Sequence, residues 1–320
     1  MKLPLALLLV AVVPMLTPAQ TVAPPVRAAE APADAAPVFR AQSELVVVHA
    51  TVRDKHGKHV SGLTPQAFRI FENGAPRPVS VFGGQHEPVT LGLILDVSGS
   101  MTRTRERLAY AASAFAGTGS PDDELFAIVV GDRPEPVLPP DAPFTSDAHV
   151  LRTAIARAHR PGGMTALYSA IAEGLDQLAR GSNPRRALVV ISDGIDNASQ
   201  LTFDDTLRRA QASNAALYAV VLADPSAMSR DPGHLRKLTR ASGGEAYFPN
   251  DNTAALDSLE HIAADIHQSY TLGFVPLAPA KNGGRSRLDV RVQTADGERL
   301  TVRAREEYVR PASAPTARAW

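Results

Sequence analysis

Short apolar runs that end at polar residues constrain the fold of this 320-residue chain more than any other feature. Leu91–Leu95 is continuously apolar and ends at Asp96, and Ala187–Ile191 ends at Ser192-Asp193. A strand is apolar throughout when both of its faces are covered, as in a parallel sheet between two layers of helices. Over residues 88–267 these runs alternate with segments whose apolar residues have the spacing of a helix. The sequence therefore predicts such a layered sheet there.

The predicted fold class is α/β, with a doubly wound and mostly parallel sheet flanked by helices. Further strands are expected at 125–130, 216–222 and 245–248, and helices at 103–116, 148–158, 166–178, 203–212, 235–241 and 256–266. In a sheet of this kind, ligands bind at the carboxyl ends of the strands, near the point where the strand order reverses. Residues that directly follow a strand are therefore the first candidates for function.

The segments on either side of residues 88–267 have the alternating pattern of half-buried strands. In the N-terminal segment, 39–87, Glu72-Asn73-Gly74 gives the strongest hairpin signal, with Phe68–Phe71 before it and Val79–Phe82 expected to return. Residues 268–310 alternate in the same way. Each set alone is too small to be stable, so we expect both to pair in one small β-sandwich.

The two ends of the chain have a different composition. Residues 1–19 combine the positive Lys2 with an apolar run and small residues, which is the pattern of a cleaved signal peptide. Residues 20–38 form an Ala/Pro-rich linker, and 311–320 have the same character as a flexible tail. The chain is therefore expected to be exported, to a periplasm or out of the cell. The apolar run is shorter than the ~20 residues of a membrane span, and no later stretch is long and apolar enough.

Composition excludes several classes of function. Thirty-three basic residues balance thirty-three acidic ones, so no net charge favours nucleic acid as a partner. The chain has no cysteine, which excludes disulfides, Cys-ligated zinc and thiol catalysis.

Oxygen-bearing side chains cluster at the predicted strand ends. Asp96 opens the pattern Asp-x-Ser-x-Ser with Ser98 and Ser100, Asp193 follows the second buried run, and Thr165 follows two glycines just ahead of a helix. Two carboxylates and three hydroxyls form an all-oxygen set that suits Mg²⁺ or Mn²⁺ better than zinc. The alternative is structural, because Ser, Thr and Asp also cap helices and form turns.

Three of these stretches resemble a known family. Asp96–Ser100, Thr165–Tyr168 and Ser192–Gly194 are similar in content and order to the three loops of the metal-ion-dependent adhesion site of von Willebrand factor type A domains. The resemblance covers roughly residues 88–267. It implies that Ser98, Ser100 and Thr165 touch a bound Mg²⁺ (or Mn²⁺ or Ca²⁺), while Asp96 and Asp193 act directly or through water. Met164 departs from the small residue that many members place there.

The resemblance implies an exported protein-binding module of the adhesion type, in which the bound cation takes an Asp or Glu carboxylate of a protein partner. On this interpretation the chain is not an enzyme. One alternative is a metal-dependent phosphohydrolase with Asp96 as the nucleophile, although the second acid needed two residues later is replaced by Ser98. A metal-free structural scaffold is the other alternative.

Overall fold

A computed structural model describes residues 45–97, 120–158, 163–222, 232–276, 284–294 and 300–309. Its strands are β1 Val46–Arg53, β2 Phe68–Glu72, β3 Ala75–Arg77, β4 Val81–Gly83, β5 Val89–Asp96, β6 Glu124–Val130, β7 Pro134–Pro136, β8 Arg185–Ser192, β9 Ala216–Val221, β10 Ala246–Tyr247, β11 Tyr270–Phe274, β12 Arg285–Val292, β13 Thr301–Arg303 and β14 Glu307–Val309. The helices described are α1 Ala148–Arg157, α2 Leu167–Arg180, α3 Phe203–Ala212, α4 Pro232–Ser242 and α5 Asn252–Gln268.

The central sheet has six strands in the order β10-β9-β8-β5-β6-β7. Every neighbouring pair is parallel except β6 and β7. All eight residues of β5 are buried, as expected for a strand covered on both faces. Gly92 lies where a Cβ atom would come within 2.3 Å of the Phe126 ring, so only glycine fits the close packing there. The predicted α/β class with a mostly parallel sheet is confirmed.

The predicted elements of this domain form at nearly the predicted positions. Helix α3 has the predicted bounds, and α5 begins four residues earlier than the 256 expected from the sequence. Thr202 and Asp205 form a reciprocal capping box at the start of α3, which explains why its first residue was clear from the sequence. The helix predicted over 103–116 lies outside the described residues.

Strands from both flanking segments form two four-stranded sheets, ordered β13-β1-β11-β4 and β14-β12-β2-β3. The pairs β1–β11 and β2–β12 are antiparallel and join residues far apart in the sequence. One apolar cluster contains side chains from both sheets. The rings of Phe68 and Tyr270, for example, have centroids 5.0 Å apart. The two flanking segments thus share a sandwich core, while the segment boundaries drawn above stay predictions.

The predicted hairpin forms, but with a different return strand. Asn73 and Gly74 have φ of 51° and 84°, and Glu72 pairs with Ala75, so the return strand is β3. The expectation that Val79–Phe82 returns was wrong, because a two-residue turn of this type lets pairing resume at once. Part of that stretch, β4, pairs with β11 in the other sheet instead.

Buried charges lie where the sandwich and the α/β domain meet. Arg185, at the start of β8, is 1% exposed and donates to the backbone carbonyls of Gly84, Glu87, His267 and Ser269. Asp265 of α5 is fully buried, and within the flanking segments it forms ion pairs with Arg53 and Arg303 and a hydrogen bond with His59. These contacts join α5 and β8 to the sandwich.

Candidate metal site at the carboxyl edge of the sheet

The two predicted aspartates lie at the ends of neighbouring strands. Asp96 is the last residue of β5 and is fully buried, and Asp193 follows β8 with 6% of its surface exposed. The hydroxyl of Ser192 donates to Asp96 Oδ2 at 2.7 Å, and the Gly194 N–H donates to the Ser192 oxygen at 3.0 Å. Ser192 therefore joins the two strand ends through one hydroxyl group.

Backbone hydrogen bonds bring the third loop to the same edge. Thr165 is buried, and its N–H donates to Asn197 Oδ1 at 2.6 Å, while its carbonyl accepts from Asn197 and Ala198. The next residue, Ala166, donates to Gly131 just beyond β6 at 2.8 Å. Thr165 thus lies between the loops that follow β6 and β8, on the side of the sheet where β5 ends at Asp96.

Two side chains of the loop after β8 anchor the start of α2. Asp196 Oδ1 accepts from the Tyr168 N–H at 3.2 Å, and the Ser199 hydroxyl accepts from the Ser169 N–H at 3.0 Å. A helix leaves its first N–H groups without partners inside the helix, so this loop satisfies two of them. The loop that carries Asp193 therefore also fixes the helix that follows Thr165.

A fourth aspartate supports the glycine loop. Asp132 Oδ1 accepts from the Met164 N–H at 2.8 Å. Gly163 has φ of 134°, and a Cβ atom there would lie 2.9 Å from the same oxygen. Met164 itself is 51% exposed. Having Met here, where many type A domains have a small residue, therefore places an apolar side chain at the surface.

Sequence reasoning named Ser192 without giving it a role, and it missed Asp132, Asp196 and Asn197. Ser192, Asp196 and Asn197 lie within four residues of Asp193, and Asp132 follows β6, so the rule that strand ends carry function includes them. What they bind, however, is backbone N–H groups of another loop and a neighbouring carboxylate, and only the fold shows those partners.

The described donors fit a hard divalent cation. Asp193 Oδ1 accepts from the Ile195 N–H, whereas its Oδ2 has no hydrogen bond to any described residue. The Thr165 hydroxyl likewise has no hydrogen-bond partner within the described ranges. Two oxygens thus stay available at the edge where Asp96 lies, and Mg²⁺ prefers such ligands. Ser98 and Ser100 lie outside the described residues.

The described residues contain no group of three or more His, Asp or Glu side chains arranged to hold a metal ion. The predicted site has a different composition, with two carboxylates and hydroxyl groups. In the same part of the chain, no helix has the length and apolar character to cross a membrane.

Comparison with known proteins agrees with this architecture. Residues 91–195 match the family model of the von Willebrand factor type A domain. No curated protein matches the chain.

Several solved structures are similar in fold at low identity. A von Willebrand factor type A protein from Catenulispora acidiphila is 16% identical, with a TM-score of 0.47 over 85% of this chain and 74% of that one. An aerotolerance-related membrane protein from Bacteroides fragilis is 17% identical, with a TM-score of 0.43 over 55% of this chain and 98% of that one. Proximal thread matrix protein 1 from the mussel byssus is 10% identical, with a TM-score of 0.48 over 57% of this chain, which spans about half (48%) of the mussel protein.

The family match covers β5, β6, α2 and β8, the elements that carry the candidate site. Type A domains serve as protein-interaction or adhesion-type modules. The family match therefore places a von Willebrand factor type A domain over residues 91–195 of this chain.

Proposed function

We propose that this protein is an exported, metal-dependent protein-binding module, whose type A domain holds a divalent cation that takes a carboxylate of a protein partner. The observation that carries the proposal is the meeting of three loops at one sheet edge, with Asp96, Thr165 and Asp193 in them. When bound, the cation supplies an electrophilic centre for an Asp or Glu of the partner.

The chain's own residues have separate roles in this proposal. Thr165 and the two serines of the Asp-x-Ser-x-Ser pattern contribute neutral oxygens, and the two aspartates balance most of the charge of a divalent ion. Ser192 keeps Asp96 oriented through the 2.7 Å hydrogen bond. The exposed Met164 beside Thr165 gives a partner an apolar contact next to the cation.

A phosphohydrolase that uses Asp96 as a nucleophile is less well supported. Asp96 is fully buried and accepts a hydrogen bond from Ser192, and position 98 lacks the second acid that such an enzyme needs. Metal-dependent hydrolysis of generic phosphate esters, abolished in Asp96→Asn, would favour that alternative.

Calorimetric titration of the full chain with Mg²⁺ or Mn²⁺ alone tests the metal site. We expect one site in the wild type, no detectable binding in Asp96→Ala, and at least about tenfold weaker binding in Thr165→Ala, since each loses an oxygen ligand. Thr165→Ala should lose no more than about 1 kcal/mol of stability, because the hydroxyl has no hydrogen-bond partner among the described residues and only one buried methyl group is removed with it.

Asp122→Ala is the matched control, because Asp122 is an exposed aspartate at the opposite end of the sheet, just before β6. Wild-type metal affinity in both Asp96→Ala and Thr165→Ala would show that the cation binds elsewhere in the chain. Partner capture from an extracellular or periplasmic fraction should then be lost in EDTA, and capture that is indifferent to the chelator would favour a metal-free scaffold.

A further inference from the structure

A cleft of about 570 Å³ opens between helix α2 and the proline-rich segment that follows β6. One wall is apolar and is formed at its surface by four prolines, Pro134, Pro136, Pro140 and Pro143, with the buried side chains of Phe126, Ile128 and Leu138 behind them. The other wall is the outer face of α2, from Ser169 to Arg180, with Arg209 of α3 at its rim. None of these residues is a candidate metal ligand.

The α2 wall carries an acid that has no ion-pair partner among the described residues. Glu173 is half-buried in the cleft and forms no hydrogen bond or ion pair with any described residue. The nearby cations are engaged elsewhere: Arg209 pairs with Asp176 at 3.1 Å, and Arg180 donates to Gln177 Oε1 at 3.3 Å. Burial, and then the neighbouring Asp176, raise the pKa of Glu173, and the charge of Arg180 offsets only part of this rise. The cleft thus presents an unpaired carboxylate opposite an apolar wall.

The edge of the sheet beside this cleft is closed to strand addition. β7 pairs with β6 on one side, and no strand described here pairs with its other side. Pro134 and Pro136 occupy two of the three positions of β7, and proline has no N–H group to donate. An occupant therefore receives no backbone N–H hydrogen bond from these two positions, and its side chains carry most of the binding.

We propose that this cleft binds a segment of a partner protein that inserts a lysine or arginine side chain beside Glu173. The alkyl part of such a side chain and its apolar neighbours would cover the wall of prolines, while the cation pairs with the carboxylate. A small inorganic cation would leave the apolar wall uncovered. Ser169 lines the cleft and lies four residues after Thr165. The cleft is therefore close to the carboxyl edge of the sheet, where the candidate metal site lies.

Fluorescence anisotropy with a labelled, end-capped peptide of sequence Pro-Leu-Lys-Leu-Pro tests the proposal on the full chain, in EDTA so that the metal site plays no part. The same peptide with glutamine in place of lysine should bind at least about tenfold more weakly, because it loses one charged pair. Glu173→Gln should weaken binding of the lysine peptide by a similar factor. Glu260→Gln, a matched change at an exposed acid of α5, should leave it unchanged.

Gln177→Lys provides a second variant that does not remove the acid. Position 177 is four residues after Glu173, so a lysine there can form an ion pair with Glu173 along the helix and compete with the peptide. We expect it to weaken binding as Glu173→Gln does, and it decides alone if Glu173→Gln does not fold. Equal binding of the lysine and glutamine peptides, unchanged affinity in these variants, or self-association through the cleft in analytical ultracentrifugation would overturn the proposal.

Discussion

His49 shows how a single buried residue links stability to pH. It lies in β1 with 8% of its surface exposed, and its Nε2–H donates to the Asn214 carbonyl at 3.0 Å. Burial first, and the charge of Arg185 second, lower its pKa to about 3 from the ordinary 6.5. The unfolded chain therefore takes up a proton below pH 6.5, whereas the folded chain keeps His49 neutral until about pH 3.

We expect this difference to destabilise the protein as pH falls from 6.5 towards 3, at up to about 1.4 kcal/mol per pH unit. His49→Gln keeps a side-chain donor and removes the titrating group. Between pH 6.5 and pH 5, the wild type should therefore lose about 2 kcal/mol more of its free energy of unfolding than the variant does. Urea denaturation at the two pH values measures this. His56→Gln, in an exposed turn, should follow the wild type, and an identical pH slope in His49→Gln would contradict the assignment.

Residues differ in how far the sequence predicts their roles. Asp96, Thr165 and Asp193 could be singled out because each adjoins a strong periodic pattern, a strand end or a helix start. Glu173 could not, because an acid on an amphipathic helix usually faces solvent. Only the proline segment folding over α2 makes it an acid in a cleft.

Helix α2 illustrates how one element depends on a loop far away in the sequence. Its N-cap residue, Ala166, provides no side-chain acceptor, so Asp196 and Ser199 satisfy the N–H groups of its first turn from the loop after β8. Asp196→Ala should lower the free energy of unfolding by about 1 kcal/mol, as for loss of a helix cap. Because Thr165 lies just ahead of this turn, the same change should weaken Mg²⁺ binding in calorimetry.

Asp147→Ala is the matched control for this element. Asp147 caps α1 by accepting from the N–H groups of His149 and Val150, away from the three loops. It should cost a similar amount of stability and leave Mg²⁺ affinity unchanged. Equal Mg²⁺ affinities in Asp196→Ala and Asp147→Ala would show that the anchoring of α2 does not affect metal binding at the candidate site.

Elements were predictable to different extents. The strands and helices of the α/β domain could be predicted from the spacing of apolar residues in the sequence, because each element buries a regular apolar face. Strands β3 and β14, with three residues each, carry too little pattern to be recognised. They form because longer partners, β2 and β12, present free edges to them.

For the whole molecule, the buried Asp265 joins the α/β domain to the sandwich. Burial opposes its ionisation, but the hydrogen bond from His59 and the charge of Arg303 hold its pKa at about 2. Removing one partner of a buried ion pair leaves charges without compensation, so Asp265→Asn should destabilise the protein by about 3 kcal/mol or more. Differential scanning calorimetry should show one cooperative transition for the wild type and two for the variant, the sandwich unfolding first.

Asp289→Asn is the matched control for this change, because Asp289 pairs with Arg291 on an exposed part of β12. An exposed pair of this kind contributes at most about 1 kcal/mol, so the single transition should persist. A single transition in Asp265→Asn as well would show that other contacts, such as those of Arg185, suffice to couple the two parts.

The pairing of β1 with β11 and of β2 with β12 has a consequence for synthesis on the ribosome. Translation produces β1 and β2 first, but their partners follow after some two hundred further residues. The α/β domain, whose strands are complete by Tyr247, can fold while the chain is still emerging, because domains fold as units during elongation. The early strands must wait with exposed edges until β12 leaves the exit tunnel, and a chaperone that shields nascent strands would act there.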